Sequence, residues 1–215
     1  MFFKIIMDKE IKIKNSIEQF DKWAVKYDSD YWMFYFRAAY KRILDVSKLF
    51  IKNNSNILDI GCGTGSFEKM LSENINYREI YGLDVSEEML KIARYKNINK
   101  NINFINCDIS QFDFNSNYFD AVFSLNSFHH FPNQDLVINK IYDLLKVNGN
   151  FIFLDLVKDN FLKNIWIGIV KKLCNEENVD FYSTDNLLSK LKEMGFKVVY
   201  NKSYLYFLRI LVVKK

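Results

Sequence analysis

The residues best placed to do chemistry form one short run, Leu58-Asp59-Ile60-Gly61-Cys62-Gly63-Thr64-Gly65-Ser66. An apolar strand runs there into a glycine-rich turn, and glycine permits both positive φ and close approach of backbone to a ligand. In open α/β sheets, nucleotides bind at the carboxyl end of such a strand. The spacing is G-x-G-x-G, with Ser66 where a dinucleotide fingerprint has its third glycine. Two carboxylates follow in order. Asp84 ends the next strand, 23 positions beyond Gly61, where it can accept from both hydroxyls of a ribose. Asp108 ends the third, in Phe104-Ile105-Asn106-Cys107-Asp108-Ile109, where it can accept from an adenine amino group while the next N–H reaches a ring nitrogen. His129 and His130 follow the fourth strand. An imidazole there is either a general base or a brace for the loop before Pro132.

These residues must be positioned by alternating strands and helices. Short apolar runs at 56–60, 79–83, 102–106, 119–125 and 150–156 predict strands, and 65–73, 86–96 and 134–146 predict the helices between them. That alternation is the signature of a parallel sheet built from βαβ units. Ser86 is the expected cap of the second helix, with Glu87 and Glu88 in its first turn, and the third is expected to stop near Asn148-Gly149. Helices are expected at 159–174 and 184–194. The β-rich segments 196–202 and 204–213 follow, too closely spaced for a parallel crossover, so they predict an antiparallel hairpin. The fold class is α/β: a Rossmann-like, doubly wound sheet, mostly parallel, with an antiparallel C-terminal strand.

Residues 1–52 precede the sheet and predict a helical cap, with Phe20, Trp23, Tyr27 and Tyr31 at helical spacing and a dense aromatic run at 31–36. The cap is either a helix pair packed on the sheet or a lid over the ligand. The domain proper is expected at 53–215, with a cap-like insertion around 159–183.

The ordered set LDIGCGTG, YGLDVSEEML, INCDI, FDAVFSLNSFHHFPN and LLKVNGNFIFLD resembles the class I S-adenosylmethionine-dependent methyltransferases, of the small-molecule, type 11-like kind, from about Asn56 to Asp155. Residues 16–31 resemble the entry helix of such enzymes. The resemblance implies S-adenosylmethionine as cofactor, S-adenosylhomocysteine as product, and no metal. It implies that Asp59, Gly61, Cys62 and Gly63 surround the methionine part. Asp84 would then bind the ribose, with Val85 and Met89 packing nearby, and Asp108 and Ile109 would hold the adenine. Asn126 would meet the cofactor's amino group through its carbonyl. Tyr27 would close over the sulfonium, where an aromatic face suits a cation. Transfer from a sulfonium is an in-line displacement, so alignment and exclusion of water are the enzyme's main contribution. A base is needed only if the acceptor loses a proton; His130, then His129, are the candidates, with tyrosines of the cap beside them.

Composition narrows the acceptor. The chain has 215 residues, 49% hydrophobic and 26% charged, which suits one globular domain and excludes a largely disordered protein. Residues 1–52 hold 11 Lys and Arg against 7 Asp and Glu, and the remainder balances at 19 against 19. That excess reads as a solvated face, with an anionic substrate or membrane surface as the other reading. No basic stripe offers a phosphate track, no Pro-Cys pair or [D/N/S]-P-P-[Y/F] loop is present, and nucleic acid is not expected as a partner. The three cysteines make no CxxC pair and the two histidines no metal set. No apolar run reaches the ~18 residues of a membrane span, so the expectation is a cytoplasmic protein acting on a small molecule, apolar or aromatic. A non-catalytic S-adenosylmethionine-binding module and a nicotinamide-dependent oxidoreductase are the alternatives.

Overall fold

The computed structural model describes residues 2–174 and 179–215, with backbone alone for 2–9, 31–35 and 174. The side chains of the aromatic run at 31–35 and of Cys174 therefore lie outside the described residues.

Two helices come first, α1 (Phe2–Tyr27) and α2 (Tyr31–Ser47). The alternating unit follows: β1 (Ser55–Ile60), α3 (Ser66–Asn74), β2 (Tyr77–Asp84), α4 (Glu87–Lys96), β3 (Ile102–Asn106), β4 (Phe119–Leu125), α5 (Gln134–Leu144) and β5 (Leu145–Leu156). The chain continues through α6 (Phe161–Cys174), α7 (Thr184–Glu193), β6 (Lys197–Tyr204) and β7 (Leu208–Lys214). Single 3-10 turns lie at Ile109–Gln111 and Phe128–His130.

All seven strands form one sheet in the order β3-β2-β1-β4-β5-β7-β6. β1 to β5 are parallel, and β7 pairs antiparallel with both β5 and β6. The expected doubly wound sheet is present, with its antiparallel strand inserted between β5 and β6 rather than at the rim. The order reverses at β1 and β4, which leaves a crevice at their carboxyl ends.

The period-two pleat explains the two cores. Leu58, Ile60, Phe151 and Phe153 point to one face and pack under Val137, Ile138 and Ile141 of α5 and Leu187 and Leu191 of α7. Ile57, Phe123, Ile152 and Leu154 point to the other, against Ile43 of α2 and Phe67 and Leu71 of α3. Central strands covered on both faces read as continuous apolar runs, which is why they stand out in the sequence.

Two boundaries differ from expectation. The helix expected to run to about 148 ends at Leu144, because Leu145 is fully buried and already pairs with Phe119. The segment after it makes a bulge through Asn148, at φ 67°, before the strand resumes. A Cβ on Gly149 would lie 2.9 Å from Lys146 O, so only glycine fits that turn. The β6–β7 connection spans three residues, 205–207, rather than about one.

Candidate functional site

Three tight contacts set the glycine run in place. Leu83 O accepts from Gly61 N at 2.7 Å and from Cys62 N at 2.9 Å. Asp84 Oδ2 accepts from Gly63 N at 2.8 Å, and its Oδ1 from Ser86 N at 2.9 Å. Burial raises Asp84 above the usual carboxylate range, opposed by those backbone N–H groups. Gly61, Gly63 and Gly65 all have positive φ, but their surroundings differ. A Cβ on Gly61 would lie 2.4 Å from Ser127 Cβ, whereas a Cβ on Gly63 would meet nothing within 4 Å.

The space beside Gly63 is a cavity of about 950 Å³, counted to its open mouth. Gly61, Cys62, Gly63, Asp84, Val85, Met89, Asp108, Ile109, Asn126, Tyr27 and His130 all line it. β1, β2, β3 and β4 thus deliver their C-terminal residues to one place. Asp108 Oδ1 accepts from Ser110 N at 2.6 Å, which caps the 3-10 turn and fixes the carboxylate at the wall. Asn126 sits at φ 53°, and its Nδ2 is a buried donor without an acceptor. Among the described residues, the lining contains two carboxylates and neither Lys nor Arg. Such a cavity favours a ligand that is cationic where it is not sugar or base, and disfavours a dinucleotide's two phosphate charges.

The opposite wall comes from the N-terminal helices. Ile13, Ser16 and Phe20 of α1 and Tyr40 of α2 line the cavity with Tyr27. The Phe20 ring meets His130 edge-on at 5.0 Å. A polar latch holds α1 there. Asp28 Oδ1 accepts from Thr64 Oγ1 at 2.9 Å and Ser66 Oγ at 3.0 Å, and its other oxygen pairs with Lys96. Although burial opposes it, the Lys96 ammonium holds the Asp28 carboxyl below its ordinary value. Further up α1, Asp21 Oδ1 accepts from Ser86 Oγ at 2.5 Å, the same side chain that caps α4 through Met89 N.

Two residues expected at the site are set back from it. Asp59 does not line the cavity: it is 3% exposed and faces Glu68 of α3 beneath the loop. Burial pushes Asp59 up to about 7, opposed by a hydrogen bond with Glu68. Burial and the Asp59 charge push Glu68 well above its usual value. Both facing carboxyls are thus pushed toward their protonated forms. His129 also turns away. Its Nδ1 lies 2.7 and 2.8 Å from the two oxygens of the buried Asp155, and its ring stacks on Phe181 at 4.5 Å. These contacts tie the loop to β5 and to Phe181. His130 alone of the pair lines the cavity, and burial, then the neighbouring His129, lower its pKa well below the ordinary value. Its imidazole is neutral at pH 7. Burial, then nearby carboxylates, push the Cys62 thiol up, so it is not a thiolate. Among the described residues, no three His, Cys, Asp or Glu side chains converge as metal ligands.

Comparison with known proteins agrees with this geometry. Residues 58–153 match the family model described as a methyltransferase domain. The ubiquinone/menaquinone biosynthesis C-methyltransferase UbiE of Wigglesworthia glossinidia brevipalpis is 31% identical over 198 residues, 86% of this chain and 79% of that one. The chain belongs to the class I S-adenosylmethionine-dependent methyltransferases. The demethylmenaquinone methyltransferase of Thermotoga maritima is 27% identical over 206 residues, covering 86% of this methyltransferase and 89% of that one. In fold, this methyltransferase is similar to the crystal structure of another S-adenosylmethionine-dependent methyltransferase of Thermotoga maritima, with TM-score 0.74, 20% identity and coverage of 92% and 99%.

The family implies S-adenosylmethionine, and the site of this methyltransferase fits it. The open side of Gly63 leaves room for a ligand against the backbone, Asp84 and Asp108 offer acceptors, and the anionic lining suits a sulfonium and an ammonium. Sequence reasoning missed Ile13, Ser16, Tyr40 and the Asp28–Lys96 latch. The signals near them were the aromatic spacing of residues 20–31 and the resemblance of 16–31 to an entry helix.

Proposed function

We propose that this methyltransferase moves a methyl group from S-adenosylmethionine to a small, apolar or aromatic acceptor by in-line displacement. The observation that carries this is the cavity at Gly63, with carboxylates on one wall and α1 on the other. Bound there, S-adenosylmethionine supplies an electrophilic methyl group. Asp84 would take the ribose hydroxyls through the lone pairs its backbone donors leave free. Val85 and Met89 would pack beside it, and Asp108 and Ile109 would hold the base. Gly61, Cys62, Gly63 and Asn126 would face the methionine part, with Asp59 beneath the loop. Tyr27 would cover the sulfonium.

The acceptor would enter between α1 and the turn carrying His130 and Phe131. Ile13, Phe20 and Phe131 give that side an apolar surface, which suits an apolar or aromatic face. Relatives named for ubiquinone, menaquinone and demethylmenaquinone methylation support the same reading. His130, neutral because it is buried, would accept a proton from an acceptor that must lose one. The functional division we propose is a helical cap at 1–52 and a methyltransferase domain at 53–215, with a cap-like insertion around 159–183.

The test is calorimetric titration with S-adenosylhomocysteine, with NADH as control, followed by a turnover assay with a panel of quinol and phenol acceptors. Micromolar binding of the first ligand alone and methylated product are expected. Binding of NADH instead would overturn the cofactor assignment. Binding without turnover on any acceptor would favour a non-catalytic binding module.

A further inference from the structure

The last third of the chain presents a surface that the site does not use. α6 buries one side, with Lys163 and Ile167 inward and Ile167 packed with Val179 and Phe181. Its other side carries Phe161, Leu162, Ile165, Ile169 and Leu173, between 44% and 76% exposed. These positions recur at three- and four-residue steps and form one stripe along the helix. Beside it, the turn between β6 and β7 holds out Leu205 and Tyr206, both about half exposed. Both residues are left-handed, at φ 48° and 63°, a conformation that Gly or Asn adopts with less strain.

The helix and the turn make one continuous surface. Asn160 Nδ2 donates to the Tyr206 hydroxyl at 3.4 Å, Lys163 Nζ lies 5.6 Å from the Tyr206 ring centre, and Trp166 stacks on Phe207 at 4.7 Å. Between 158 and 173 its exposed charges are basic apart from Asp159. Lys172 is exposed within the stripe and Lys158 just ahead of it. The one acid between 158 and 173, Asp159, is held by Lys163 at 3.1 Å and Arg209 at 3.0 Å. β5 and β6 end on the same edge of the sheet where β1 delivers Gly61 and β4 delivers Asn126. The stripe therefore flanks the edge that holds the cavity.

We propose that this surface docks on an anionic lipid bilayer. α6 lies along the headgroup boundary with its stripe toward the acyl chains, its lysines meet lipid phosphates, and Leu205 and Tyr206 insert beside it. A stripe of exposed aliphatic and aromatic side chains flanked by lysine has the pattern of an interfacial helix. The lysine rim is complementary in charge to an anionic leaflet.

The full chain, centrifuged with vesicles of equal parts phosphatidylglycerol and phosphatidylcholine, should sediment with them. Binding to phosphatidylcholine alone should be roughly tenfold weaker or less, because the lysines add little there. The double variant Ile165→Glu, Ile169→Glu places charges on exposed positions and should cut binding to the mixed vesicles at least about tenfold. A matched control, Leu49→Glu with Val147→Glu, makes the same charge change at exposed positions on the opposite edge of the sheet and should bind as the wild type does. Absence of wild-type binding to the mixed vesicles would overturn the proposal, as would equal binding of the two double variants. A concentration-dependent dimer abolished by Ile165→Glu, Ile169→Glu, without vesicle binding by the wild type, would assign the face to a second copy instead.

Discussion

Alanine at two neighbouring glycines should produce two different defects. Gly63 has φ 54°, and a Cβ there would meet no protein atom within 4 Å. The left-handed backbone costs alanine about 1–2 kcal/mol. For a chain of this size that lowers Tm by roughly 2–8 °C. The added methyl points into the cavity and would displace the ligand rather than the protein. Gly63→Ala should therefore weaken S-adenosylhomocysteine binding by roughly 10- to 100-fold, about 1.4–2.7 kcal/mol. Gly61, at φ 77°, has the same backbone preference, but its Cβ would overlap Ser127 Cβ at 2.4 Å and Oγ at 2.9 Å. Ser127 cannot yield easily, because its hydroxyl donates to Ile60 O at 2.7 Å. Overpacking adds about 1–3 kcal/mol, so Gly61→Ala should lower Tm on the order of 10 °C. Calorimetry on the ligand and a thermal melt on each variant separate the two effects. If Gly63→Ala binds as tightly as the wild type, the ligand does not pass beside Gly63 and the assignment of the cavity fails.

Other perturbations test the remaining parts. Asp84→Ala should cost about 1–3 kcal/mol of S-adenosylhomocysteine affinity through lost charge-assisted hydrogen bonds; unchanged affinity in a folded variant would remove Asp84 from the site. The raised Asp59 and Glu68 make the folded chain hold protons that the unfolded chain gives up above about pH 4. Their contribution to stability is full below that pH and falls as pH rises toward 7. Glu68→Gln removes one of these protons, so its urea-derived stability should fall less steeply with pH, by about 1.4 kcal/mol per pH unit between 4 and 7. Identical slopes in variant and wild type would show that Glu68 does not hold a proton in the folded chain. Asp28→Asn removes the charge facing Lys96 while keeping a side-chain oxygen for Thr64 and Ser66. Faster amide exchange in 16–27 and a several-fold loss of ligand affinity are expected, and unaltered exchange would show that the latch does not hold α1.

The strands were legible because they are covered on both faces, so Phe151–Leu154 reads as an unbroken apolar run and Ile57–Ile60 as one interrupted only by Asp59. The glycine turn and the acids at 84 and 108 were legible because backbone conformation and strand ends constrain residue type locally. The family resemblance put Asp59 in the ligand shell beside the glycines. The pleat instead sends it to the side of Ile57, toward α3 and Glu68. The choice between His129 and His130 depends on a single 3-10 turn and on Asp155, 26 positions away, and no local pattern encodes that. The same holds for α1. Its spacing announces a helix with an aromatic face, but what that face covers is set by Asp21 and Asp28 reaching Ser86, Thr64, Ser66 and Lys96 across the chain.

The place of β7 between β5 and β6 has a consequence for how the chain is made. β5 is complete at Leu156, but its free edge acquires a partner only when residues 208–214 have been synthesised. At about 5–20 residues per second, the intervening stretch takes roughly 3–10 s. During that time a long apolar strand carries an unpaired row of backbone donors and acceptors, which is the condition for pairing with another chain. β6 emerges first but has no partner other than β7 in the finished sheet, so the two must arrive as a hairpin. The yield of native protein should therefore depend on how quickly 197–214 is delivered to β5, and slow codons within 157–207 should lower it more than the same codons before β1.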